Sequence, residues 1–161
     1  MVCITYKCKI RSQNKYEGRI LQNVVQIQAS IEVNASLDRV WDIISDLDSE
    51  PKFWKGTKEV RNISKEGNTV NREVTIAFKD SKCMQTVIIY PKEKIHVQFT
   101  KGIIDGTKTI SVSTHGEKTE IEAIWNIKLT GMMGMFTGMI KKHIQSGTEQ
   151  SLQSIKEEAE R

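Results

Sequence analysis

At 161 residues the chain is the size of a single domain, large enough to bury a substantial core without disulfides or metals. Aliphatic and β-branched residues are plentiful, Pro is rare and no long low-complexity run appears, which argues against disorder over most of the length. The formal charge of +4 resides in residues 1–23, where Lys7, Lys9, Arg11, Lys15 and Arg19 stand against Glu17 alone; the rest is balanced, so the charge is no sign of a nucleic-acid partner.

Residues 1–23 are accordingly expected to form a basic N-terminal extension, either a solvated tail or a contact for an acidic protein partner or membrane surface, ahead of a domain over 24–161. No stretch approaches the roughly 18 consecutive apolar residues of a membrane span, and the N-terminus lacks the apolar centre of a secretory signal, so a cytoplasmic location is expected. Cys3, Cys8 and Cys83 are odd in number, form no CxxC pair, and lie away from His96, His115 and His143. No disulfide framework, metal or cofactor is expected from that pattern.

From Val24 the chain alternates: Val25, Ile27, Ala29, Ile31 and Val33 interleave with polar residues, as in a strand buried on one face. Ser36 then suits the cap of a helix beginning at Leu37, with Asp38 in its first turn. Leu37, Val40, Trp41 and Ile44 form its apolar stripe. A second short helix is predicted around Pro51, which a first helical turn tolerates, with Asp48 or Ser49 as cap and an end near Trp54.

Turn signals at 66–68, 80–81, 91–92, 105–106 and 115–116 then divide the chain into six β-rich segments, 57–65, 69–79, 82–90, 94–104, 107–115 and 118–129. Val74, Ile76 and Phe78; Ile95, Val97 and Phe99; and Ile121, Ala123, Trp125, Ile127 and Leu129 each set an apolar row on one face, the pattern of an antiparallel meander with one wet face. After Gly131, residues 132–159 lack Pro and repeat apolar residues at helical spacing, predicting one amphipathic helix of about 40 Å. One helix cannot cover a wide sheet unless the sheet curls around it, and such curling leaves a cavity.

The predicted class is therefore α+β, with a curved antiparallel sheet wrapped around a long C-terminal helix. This element order resembles the helix-grip arrangement of the START-like superfamily, which includes birch-pollen-allergen-type, polyketide cyclase and coenzyme-Q-binding proteins. Residues 31–46 followed by Pro51-Lys52-Phe53-Trp54 carry the resemblance, which extends over about 24–159, and Asp46 and Pro51 keep the usual Asp-x-x-x-x-Pro spacing. It implies a small hydrophobic ligand, such as a lipid, quinone or polyketide, between sheet and helix. It does not specify the ligand, and members of the superfamily include enzymes and partners of proteins.

Within that frame Met132, Met135, Phe136 and Met139 are the first candidates for a ligand wall, since methionines adapt to variable apolar shapes; the alternative is that they pack a closed core. Phe78, Phe99 and Trp125 would form the opposite wall. Trp54, with Phe53, would either gate one end or staple its helix to the sheet. Arg72 is in phase with inward Val70 and Val74, and so would either anchor an anionic ligand group or reach back to water. No catalytic or phosphate-binding constellation is visible. A cyclase-like enzyme would have to draw on Arg72, Tyr90 or His143, and a protein-interaction module on the surface or the basic extension. Binding of a hydrophobic small molecule is the leading expectation.

Overall fold

The computed structural model describes residues 24–161, except the side chains of Met132 and Met133; the basic extension over 1–23 lies outside the described residues. The elements run β1 (Val24–Val33), α1 (Leu37–Ser45), α2 (Glu50–Phe53), β2 (Thr57–Glu66), β3 (Thr69–Ile76), β4 (Ser81–Tyr90), β5 (Lys94–Lys101), β6 (Ile104–His115), β7 (Lys118–Leu129) and α3 (Thr137–Ala159). The seven strands form one antiparallel sheet in the order β1-β7-β6-β5-β4-β3-β2, so the meander from β2 to β7 is closed off by β1 pairing with β7. This is the helix-grip α+β fold expected.

Local chemistry explains the elements. In β1, Val25, Ile27 and Val33 are buried while Val24, Gln26, Gln28, Ser30 and Glu32 are exposed, the two-residue period of a sheet with one wet face. Ser36 caps α1 by accepting a hydrogen bond from the Arg39 amide, and Val40, Trp41 and Ile44 are its buried stripe. Pro51 sits in the first turn of α2, but neither expected cap closes it: Ser49 makes no capping bond, and Asp48 instead accepts from Asn62. The edge strand β2 is mostly exposed and rich in Lys, Glu and Arg, which discourages pairing with another chain.

Two boundaries differ from expectation. β3 stops at Ile76, and Phe78 lies on a short 3-10 turn, Phe78–Asp80, in which Lys79 and Asp80 take positive φ. The Asp105-Gly106 signal is not a hairpin tip but lies inside β6. Gly106 has φ 118°, and a Cβ there would stand 2.2 Å from the Asn126 carbonyl oxygen, so glycine permits the close crossing of β6 on β7.

The C-terminal segment also divides. Residues Gly131–Phe136 form a 3-10 stretch, and the α-helix begins only at Thr137. Its 23 residues span roughly 34 Å at 1.5 Å each. Leu152, Ile155 and Ala159, in its second half, are buried, and α3 packs on β1 and α1. Its first half stands away from β3–β6.

Candidate functional site

That separation leaves a cavity of about 490 Å³. Its sheet side includes Val74, Ile76, Phe99, Ile104 and Trp125, its end Trp54 and Phe78. The helical side is formed by Ile140, His143, Ile144, Ser146, Gly147, Thr148, Gln150 and Ser151. Small residues occupy 146–148 and 151 on this side, and a Cβ at Gly147 would meet nothing within 4 Å, whereas Leu152 and Ile155 beyond them are buried large side chains. Thr148 and Ser151 are buried, and each hydroxyl donates to a carbonyl one turn back in its own helix, Ile144 O and Gly147 O, both at 2.7 Å. The wall is thereby kept largely apolar.

At one end the cavity meets a buried ionic cluster. Glu50, in the first turn of α2, accepts from Lys108 Nζ at 2.9 Å through one oxygen and from Arg72 Nη2 through the other. Arg72 Nε donates to Gln85 Oε1 at 2.8 Å. Strand register assembles the group: Arg72 lies opposite Gln85, Gln85 opposite Phe99, and Val97 opposite Lys108, which in turn lies opposite Trp125. Arg72 is 0% exposed and Lys108 2%.

The electrostatics follow from that burial. Desolvation alone would push the Glu50 carboxyl up, but Lys108 and then Arg72 outweigh it and hold the group at about 2. Desolvation pulls the Lys108 ammonium below its ordinary range; Glu50 opposes the shift, and Arg72 adds to it. Lys108 is further stabilised by two ring faces, with Nζ 4.0 Å from the Trp54 centroid and 5.1 Å from that of Trp125. The two tryptophans meet edge to face, and Phe99 stacks on Trp125. Trp54 therefore both borders the cavity and ties α2 to the sheet.

The expected site residues separate into three groups. Trp54, Phe78, Phe99 and Trp125 come together around the cavity. Arg72 faces inward but does not return to water; it is locked to Glu50 and Gln85 behind the cavity's charged end. Met135, Phe136 and Met139 are 79%, 50% and 58% exposed and border no part of the cavity, a correction to their expected place on its wall. The reason is geometric: they precede or begin α3, before the helix passes over the sheet. The side chain of Met132 lies outside the described residues. His143 borders the cavity, whereas Tyr90 is exposed at the end of β4 beneath Lys94, so the residues considered for cyclase chemistry do not converge. His96 is partly buried, with Nδ1 2.9 Å from Thr109 Oγ1.

Two central residues were missed from sequence, Glu50 and Lys108. Lys108 had a readable signal, since it is in phase with Ile110 and Val112 on the inward face. Glu50 had none beyond its place in a short helix.

The family described as polyketide cyclase / dehydrase and lipid transport matches residues 24–160. The chain belongs to that family. Among solved structures, this polyketide cyclase / dehydrase and lipid transport domain is similar to a Thermus thermophilus protein, with TM-score 0.73 and 16% identity over 83% of this chain and 96% of that one. It is similar to the Zhui aromatase/cyclase of a Streptomyces species, with TM-score 0.71 and 13% identity over 86% and 94%. It also resembles a START superfamily protein of Mycobacterium smegmatis, with TM-score 0.60 and 17% identity over 81% and 98%. These likenesses establish the fold, in agreement with the motif over residues 31–54. No curated protein matches the sequence. Among the described residues, no helix is long and apolar enough to cross a membrane.

Proposed function

We propose that this protein binds a small hydrophobic molecule between its sheet and α3, as a carrier or sensor. The observation that carries the reading is the cavity of about 490 Å³, with aromatic residues on the sheet side and Gly147, Thr148 and Ser151 on the helix side. Ligand sites of this kind are concave, mostly apolar and largely preformed. Trp54, Phe78, Phe99 and Trp125 are the proposed contacts for the ligand body. Arg72 acts from behind, by fixing Glu50 and Gln85 at the cavity's charged end.

Membership of a family named for both cyclase and lipid-transport roles is compatible with holding a ligand or transforming one. Holding is favoured because the hydroxyls of Thr148 and Ser151 are engaged by their own helix and the Glu50 carboxylate by two cations. Native mass spectrometry of the purified protein against a panel of lipids, quinones and polycyclic aromatics tests the reading. A stoichiometric adduct with one class is the expected result; an unliganded mass with every compound would overturn it.

A further inference from the structure

The charged end of the cavity is not neutral. Lys108 and Arg72 bring two buried cations, and Glu50 answers them with one carboxylate. An ammonium carries three N–H donors and a guanidinium five. The side-chain acceptors bonded to them are the two Glu50 oxygens and Gln85 Oε1, and Arg72 Nη1 is buried without a partner. Around Lys108 Nζ the remaining neighbours include the rings of Trp54 and Trp125, which stabilise a cation without neutralising it.

Charge balance with Glu50 does not require this second cation. Arg72 alone would balance Glu50, and the next inward positions along β6, Ile110 and Val112, are apolar. Yet Lys108, with Glu50, Gln85 and both tryptophans, borders the large cavity. A buried charge is tolerated when it is paired, and here the cavity is where a partner can enter.

We infer that the ligand carries one anionic oxygen group, a carboxylate or an ionised enol or phenol, which Lys108 Nζ receives as a second counter-ion beside Glu50. The inference rests on the proposed binding function and specifies its ligand class: an apolar body against Ile76, Phe99 and Ile144, with its acidic head at the Lys108 end of the cavity, beside the tryptophan pair.

Two fluorescent probes of the same aromatic skeleton test this, anilinonaphthalene sulfonate and the neutral phenylnaphthylamine. The wild-type protein is expected to bind the sulfonate about tenfold or more tightly than the neutral probe, as one charge-assisted hydrogen bond provides. Lys108→Met is expected to remove that preference, so that the sulfonate binds no more tightly than the neutral probe, with Lys108→Gln measured in parallel and thermal melts confirming folding. Gly147→Leu, which places a side chain where there is open space at the cavity wall, is expected to displace both probes. Equal affinities in the wild type, a preference that survives both Lys108 substitutions, or a preference that persists in Gly147→Leu would each overturn the inference. Neutral-probe binding without preference leaves the cavity reading standing and removes only the anion; if neither probe binds, the cavity reading falls too.

Discussion

Residues 131–139 and 140–159 run end to end, yet the described large side chains of the first face outward while the second lines the cavity and packs on the sheet. The first holds exposed Met135, Phe136 and Met139 on a 3-10 stretch and the opening turn of the helix. The second contains both the tight contact, at Leu152, Ile155 and Ala159, and the loose one, over Ile140–Ser151, where the cavity lies. Adaptable apolar side chains do not make a cavity wall unless the backbone carries them over the concave face. Small residues within a packed helix do make one, by failing to fill the space.

This contrast can be broken at several points. The largest effect is expected at Glu50. Glu50→Ala leaves Arg72 and Lys108 buried without their carboxylate, and a loss of about 3–5 kcal/mol is expected in urea unfolding. The same carboxyl governs the acid limb of stability. Its folded-state value of about 2 lies below the ordinary 4.5, so its contribution is full above about 4.5 and is lost as pH falls toward 2. In Glu50→Gln that part of the pH profile should flatten, and a profile unchanged from wild type would contradict the assignment.

Next comes the closed half of the helix. Leu152→Ala, at 1% exposure, is expected to cost roughly 2–5 kcal/mol by the same measurement. Lys108→Met should be milder, within about 1 kcal/mol of wild type, because Arg72 and Glu50 remain as a balanced pair. At the small end, Met135→Ser is expected to change stability by less than about 0.5 kcal/mol. A large loss there would place residues 131–139 in the core and erase the contrast between the two stretches.

Much of the fold was legible because alternation and helical spacing are local signals. β1, α1 and the six later strands follow them, with errors at turns such as Asp105-Gly106, where a glycine serves a close strand crossing rather than a hairpin tip. The aromatic wall was legible for the same reason: Phe99 and Trp125 are in phase with buried neighbours. The charged end was only half legible. The inward phase of Arg72 was visible, but its partners come from other elements, Glu50 from α2 and Gln85 from β4, and strand alternation does not report contacts across elements. The cavity's position follows side-chain size along the helix rather than methionine content. The run Ser146-Gly147-Thr148, with Ser151, marks where the helix thins, and that signal lies in the residues themselves.

The central claim is that the space opposite this thin stretch of helix receives an apolar ligand. Its most direct measurement is a titration of the wild type and Gly147→Leu with phenylnaphthylamine, alongside their melting curves. Glycine is about 0.8–1.0 kcal/mol less favourable than alanine at an interior helix position and leucine ranks next after alanine, so the variant should melt at the same temperature or higher. With the fold intact and the space filled, probe binding should be lost. Unchanged binding in a folded Gly147→Leu protein would contradict the account.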